Sequence, residues 1–271
     1  MTNRLFPALL RFWRSRRGLS QLDLALEAEV SARHLSFLES GRARPGETMV
    51  LRLLSTLQVP LRAQNEVLQA AGFEPRFAEP AFEAISSEIE QALVQMMNQQ
   101  EPFPLIVLGG DFRIVRSNRA AAAVFGAFLA EPALMPQEPD MFSLVFDPRL
   151  LRSAVMDWET VARGMLGRLQ RELLQRGGDA RLEALLARTL AFPDVPTSWK
   201  HLDLSRAPEP TQTVRLRRDE HSVGFLIAVT TFAGPRQVTL EELRVEACFP
   251  LDAATRRTCE LLAVSRANAS D

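Results

Sequence analysis

Cysteine is almost missing from this chain. Cys248 and Cys259 are the two present, they lack the spacing of a metal site, and neither has a histidine partner close by. Two free thiols in a reducing cytoplasm are expected, with no disulfide framework and no metal site. Long apolar runs are missing too. None approaches the ~20 residues of a membrane span. Arg4, Arg11 and Arg14 interrupt the one apolar stretch at the N-terminus, so no signal peptide is read there. A cytoplasmic protein with no membrane partner is expected. Lysine occurs once, at Lys200, a bias of composition that carries no functional meaning.

The marks of catalysis are also absent. There is no nucleophile elbow, Walker loop, HExxH or CxxC, and Gly109-Gly110 is too short to cradle a phosphate. Asp157 and Glu159 stand two apart on a helical pattern, so they point in different directions and cannot share a substrate atom. His201 and His221 have no evident acid partner. The chain is expected not to be an enzyme and to need no cofactor.

What is there is apolar residue in quantity and charge of uneven sign. With 46% hydrophobic content over 271 residues, the chain can fill two packed cores rather than one. Through Gly72 there are ten Arg against six acids, a net of +4. Beyond it twenty-two Lys and Arg face twenty-seven acids, a net of −5. That asymmetry points to phosphates at one end only.

Residues 19–45 are the most informative. Ser20 is placed to cap a short helix in which Leu22, Ala25 and Leu26 form an apolar stripe. Glu29-Val30-Ser31 breaks it, and Ser31 caps the next. There Leu35 and Leu38 point inward, which leaves Ala32, Arg33, Ser36 and Phe37 on the opposite face. Gly41 is free to take the left-handed conformation of a C-cap, and Arg42 and Arg44 follow before Pro45. A short helix with a small, polar, Arg-bearing face and flanking loop arginines suits the major groove of DNA. Around it, Leu10 and Trp13 mark a first helix, and Val50, Leu51, Leu54 and Leu57 a fourth. A fifth opens at Pro60, runs through Val67, Leu68 and Ala71, and stops at Gly72.

The segment of about residues 5–72 resembles the Xre/Cro-like helix-turn-helix domain of bacterial repressors. The resemblance implies that Gln21 hydrogen-bonds a phosphate of a double-stranded operator with help from the helix N-terminus. It places Arg33 at base edges with Ser31, Ala32, Ser36 and Phe37 around it, His34 at backbone or turn, and Arg42 and Arg44 beside the helix. It also implies a buried ion pair between Arg14 and Glu39, structural rather than functional.

Residues 73–87, with Pro75 and Pro80 and the apolar Phe73, Phe77 and Phe82, read as a packed linker. A helix over about Glu88–Asn98 follows. Strand-like Phe103–Leu108, a turn at Gly109-Gly110-Asp111, strand-like Phe112–Ser117 and an alanine-rich helix from Asn118 come next. Pro148 to Leu190 is nearly all helical, interrupted at Gly177-Gly178. Thr213–Arg217, Val223–Thr231 and Leu243–Phe249 read as closing strands.

Strand, turn, strand and an Asn-capped helix resemble the opening of a PAS domain. Glu101-Pro-Phe-Pro, Arg116-Ser-Asn118-Arg-Ala, Leu144-Val-Phe-Asp-Pro148, Asp157-Trp-Glu, Pro196-Thr-Ser-Trp199 and Glu242-Leu-Arg-Val-Glu246-Ala-Cys-Phe-Pro250 are similar to the C-terminal domain of MmyB-like regulators. Phe103 and Cys248 depart from that family's usual tyrosine and apolar residue, changes that reshape a pocket. The resemblance implies a multidomain α+β protein. A five-helix lambda-repressor-like domain at 1–72 leads through the linker at 73–87 to a PAS-like ligand-binding and dimerisation domain at 88–271. It implies a fatty-acid-like small molecule as effector. The apolar groups expected around it are Phe103, Leu105, Val107, Ile114, Phe125, Phe128, Phe225, Ile227 and Val229, more than an antiparallel sheet needs on one face. Arg113, Arg116, Arg119, Asn118 and His201 are the candidates for its polar head. A homodimer is expected, because one reading helix covers few base pairs. Two other readings stand beside this one: a ligand-free second domain used for dimerisation or protein interaction, and an antitoxin-like interaction protein, against which the long second domain argues.

Overall fold

A computed structural model describes residues 5–200 and 212–267. Two compact units emerge, one of Met1–Pro80 with Gly234–Glu241, the other of Ala81–Ala233 with Glu242–Asp271.

The first unit holds α1 (Leu5–Arg16), α2 (Gln21–Glu27), α3 (Ala32–Glu39), α4 (Glu47–Thr56) and α5 (Leu61–Ala71). Their stripes meet in one core that includes Leu10, Trp13, Leu35, Leu38, Leu54 and Val67. Ser20 caps α2 in a reciprocal box with Asp23, and Ser31 caps α3 through the His34 N–H. Gly41 takes the left-handed conformation expected of it, and Gly72, where α5 ends, takes it too. The stripe of α2 differs from the sequence reading. Leu24, Ala25 and Ala28 are buried, whereas Leu22 and Leu26 are 67% and 79% exposed. Leucine at every second position of a seven-residue helix offers two competing faces, and only packing against the neighbouring helices selects between them.

The segment after α5 does pack. Asn65 Nδ2 donates to the Phe77 carbonyl at 2.7 Å, and its Oδ1 accepts from the N–H groups of Arg76 and Phe77. Ala78 forms a parallel bridge with Gln237, and Thr239 Oγ1 donates to the Pro80 carbonyl at 2.6 Å. Residues 234–241, distant in sequence, therefore belong to this unit.

The second unit carries α6 (Ser87–Gln100), β1 (Leu105–Leu108), β2 (Ile114–Ser117), α7 (Arg119–Phe128), α8 (Met141–Phe146), α9 (Trp158–Arg176) and α10 (Ala180–Leu190). After them come β3 (Gln212–Arg218), β4 (His221–Thr230), α11 (Val238–Glu242), whose last residue returns to this unit, β5 (Arg244–Pro250) and α12 (Ala253–Ala267). The five strands form one antiparallel sheet in the order β2-β1-β5-β4-β3. Both faces of β1 are covered. Leu105 and Val107 join Leu93 of α6 and Val245, while Ile106 and Leu108 enter the larger core with Val124, Phe128, Leu166 and Phe225.

Asn118 ties these layers together. Its Oδ1 accepts from the N–H groups of Leu105 and Ala121, and its Nδ2 donates to the Phe103 carbonyl at 2.8 Å. Three helices escape the sequence reading. α8 is a six-residue apolar run too short to show a period, α11 is five residues long, and α12 buries mainly Thr255 and Cys259 behind polar neighbours. Among the described residues α12 thus follows the last strand, with Thr255 Oγ1 accepting from the Gly224 N–H at 3.0 Å.

Candidate functional site

The exposed side of α3 brings the sequence-expected DNA contacts together. Arg33, Ser31, Arg42 and Arg44 are exposed, and Ala32, His34, Ser36 and Phe37 are half-buried. The Arg33 guanidinium carbon sits 5.4 Å from the centre of the Phe37 ring, one helical turn on, so the ring supports the cation. The loop after α3 is fastened by the Arg42 and Ala43 N–H groups, which both donate to the Phe37 carbonyl.

Beneath this surface lies the expected ion pair. Glu39, 2% exposed, accepts from Arg14 Nε at 2.6 Å and Nη2 at 2.9 Å. Arg14 also donates to the Leu19 carbonyl, and Arg11 to that of Glu39. Burial pushes the Glu39 carboxyl up, but hydrogen bonds from Arg14 and Gln21, with the charges of Arg14 and Arg11, outweigh it and hold the group below its ordinary range. Gln21 Nε2 donates to Glu39 Oε2 at 2.8 Å. The residue expected at a phosphate is thus also part of the clamp joining α2 to α3.

The second unit holds a cavity of about 40 Å³ against the inner face of the sheet. A water needs roughly 10–15 Å³ of such space, so the cavity admits only a few waters, and an acyl chain enters only by moving the lining. That lining includes the flexible Met141 and Met165, with Leu144, Val155, Val161 and Ile106. Of the residues expected around a ligand, Phe125 and Ile227 line this space. Leu105 and Val107 face the other side of β1, because strand side chains alternate and a run buried on both faces does not reveal which parity looks inward. Phe128 and Phe225 are fully buried core, Phe103 and Ile114 pack at the core's margin, and Val229 is 46% exposed.

The head-group candidates are engaged elsewhere. Arg113 pairs with Glu138, Arg116 with Glu90 and Arg119 with Glu101, and Asn118 is the cap of α7. His201 lies outside the described residues.

The polar groups at the cavity are Gln212, Glu246 and the Cys248 thiol. Glu246 is 3% exposed, and Arg168 Nη1 donates to its Oε1. Burial first, then the nearby Glu246 and Cys259, pushes the Cys248 thiol up, and burial pushes Cys259 up to about 12. Both thiols stay protonated and weakly nucleophilic near neutrality. Sequence reasoning missed Glu246 and Arg168. The available signal was a carboxylate amid Val245, Ala247 and Cys248, a charge inside an otherwise apolar strand.

The family model for the MmyB-like transcription regulator ligand binding domain matches residues 89–262. The chain belongs to this family. A helix-turn-helix model matches residues 10–64 of the same MmyB-like regulator, which makes it a DNA-binding transcription regulator with a ligand-binding domain. Neither family is one of enzymes. No curated protein matches the chain. A solved structure, "Structure of an RNA-binding Light-Oxygen-Voltage Receptor", is similar at 12% identity over 97% of this chain, with a TM-score of 0.25. The match spans 58% of that structure's chain, and a likeness that low carries no argument. Among the described residues, no helix is long and apolar enough to cross a membrane, and no group of three or more His, Cys, Asp or Glu could hold a metal ion.

Proposed function

We propose that this MmyB-like regulator binds a double-stranded operator as a homodimer, reads it with the exposed face of α3, and answers to a small apolar effector in a PAS-like second unit. The observation that carries the DNA half is the pairing of Arg33 with Phe37. A guanidinium held over a ring keeps its planar fork oriented while leaving its donors outward, as two hydrogen bonds to guanine O6 and N7 require. Ser31, Ala32, His34 and Ser36 border that pair, and Phe37 is available to a thymine methyl. Arg42 and Arg44 face phosphates, and Gln21 keeps a second amide hydrogen for one while the first holds Glu39.

The effector half rests on the almost wholly apolar cavity lining at the inner face of the sheet. Displacing methionine and leucine side chains opens room for an alkyl or acyl chain, which gains about 0.8 kcal/mol per buried methylene. The test is operator affinity with and without medium-chain acyl compounds, joined to mass spectrometry of small molecules extracted from the purified protein. A shift in operator affinity supports the reading, and Ile227→Glu should abolish that shift while DNA binding persists. The small void favours a second reading, in which the unit holds no effector and serves dimerisation alone. No bound apolar molecule and no shift would decide for it.

A further inference from the structure

Among the described residues of the first unit, four large apolar side chains are exposed. They are Leu5 and Phe12 of α1, at 55% and 40%, and Leu22 and Leu26 of α2, at 67% and 79%. Apolar residues scattered singly over a surface need no explanation, but these form two pairs. Leu22 and Leu26 stand four apart on α2, one turn beyond the other. Leu5 and Phe12 stand seven apart on α1, with the exposed Ala8 between them. Each pair makes a short apolar ridge on its helix.

Charge divides the two ridges. α2 carries the exposed Asp23 and Glu27 beside its leucines and no basic residue. α1 carries Arg11, Arg14 and Arg16 and no acid. Asp23 is used in the cap of α2, and Arg11 and Arg14 hold Glu39. That leaves Glu27 and Arg16, for which no ion pair is recorded among the described residues. The Arg16 guanidinium carbon lies 5.5 Å from the centre of the Phe12 ring, on the α1 ridge. Burial, then the charge of Arg17, lowers that guanidinium below its ordinary value, so a carboxylate brought against it is favoured. Phosphates would be repelled by Asp23 and Glu27, so the α2 ridge is no DNA surface. One ridge is apolar with a free acid at its flank, the other apolar with a free base, and every copy of the chain carries both.

We infer that the α2 ridge is a docking surface for a second copy of this chain, whose α1 ridge covers Leu22 and Leu26 and sets Arg16 against Glu27. In a pair related by a two-fold axis the contact occurs twice, α2 of each chain on α1 of the other. It joins the DNA-binding heads directly, so the separation of the two α3 helices, and with it the half-site spacing, is fixed by the first unit itself. The inference goes beyond the proposed homodimer, which requires no such contact.

Cysteine crosslinking of the full-length chain tests it. Cys248 and Cys259 are buried, so thiols introduced on the surface report alone. Chains carrying Ala8→Cys or Leu22→Cys are expressed separately and together, then treated with a short bis-maleimide. Crosslinked pairs should form in the co-expressed sample well above the level of either variant alone. Glu27→Arg, added to the Leu22→Cys chain, should lower that yield about tenfold, because two like charges then face each other. Arg16→Glu, added to the Ala8→Cys chain, should restore it, as paired reversals do where the two side chains meet. Ala8, Leu22 and Glu27 are exposed and Arg16 half-buried, so the variants should fold, which circular dichroism checks. No excess of crosslinks in the co-expressed sample would overturn the inference and leave dimerisation by the second unit standing. A yield that Glu27→Arg does not lower, or that Arg16→Glu does not repair, overturns it equally.

Discussion

Glu39 carries a charge in the interior of the first unit because four donors surround it or its carbonyl: Arg14 Nε and Nη2, Gln21 Nε2 and Arg11 Nη2. Its folded pKa lies below the unfolded value of roughly 4.3, so its contribution to stability is fully present above that pH. The contribution is lost as pH falls through the lower, folded value. Thermal melts of the full chain should therefore lose stability below about pH 4, and Glu39→Gln should flatten that loss. At neutral pH, Glu39→Ala strands Arg14 and should cost about 3–5 kcal/mol, read by urea titration of the helix-turn-helix transition. On the surface, Arg33→Ala should weaken specific operator by about 1–3 kcal/mol and relax base preference, whereas Arg42→Ala should weaken all DNA about equally. A salt series on matched and scrambled DNA checks both. Equal loss on the two DNAs for Arg33→Ala would remove that residue from base reading.

At the scale of elements, the decisive joints are made by single polar side chains. The α2–α3 turn places Glu29 at φ +54°, a left-handed conformation that turns the chain so that the Val30 N–H donates back to the Ala25 carbonyl at 2.8 Å. Leu24 and Leu35, on either side of that turn, are both buried in the first unit's core. In the second unit, Asn118 caps α7 and also serves the β1 backbone at Leu105. Asn118→Ala removes a cap and leaves a buried strand N–H unpaired, a loss of about 2–4 kcal/mol when the two effects combine. Chemical denaturation should show that loss in the second unit's transition, with operator binding by the first unit retained.

For the whole molecule, the chain passes between its two units three times, at Pro80–Ala81, Ala233–Gly234 and Glu241–Glu242. The last crossing falls within α11. Glu241 accepts from the Leu61 N–H at the start of α5, while its neighbour Glu242 pairs with Arg181 and Arg176 of the second unit. Adjacent residues of one helical turn thus hold partners each within its own unit, and on the proposed reading this turn is a covalent route by which the effector would bias the DNA-binding helices. For that bias to exist, the effector must bind two head arrangements with different affinity. A difference of about 1–3 kcal/mol changes operator affinity about 5–150-fold, and DNA must change effector affinity by the same factor. Measuring both sides of this cycle tests the coupling, and unequal factors at equilibrium would refute it. Two half-sites about 34–36 Å apart call for a dimer, so light scattering with operator DNA should report two chains per site. A single chain at micromolar concentration, unchanged by DNA, would contradict the dimer.

The sequence by itself determined most of the first unit, because its signals are local. Ser20 and Ser31 cap helices within three residues of themselves, Gly41 and Gly72 end them, and Leu35 and Leu38 share a face at helical spacing. The strand runs of the second unit were legible for the same reason. Tertiary structure alone decided which parity of a two-sided strand looks into the cavity, turning Ile106 inward and Leu105 and Val107 away. It decided which of the α2 leucines are buried, and it set α12 against the sheet although that helix has little apolar periodicity. It also joined Arg168 to Glu246 across seventy-eight positions of chain. Burial on both faces erases the alternation by which a sequence reports its inner side, and an ion pair between distant elements leaves no spacing to read.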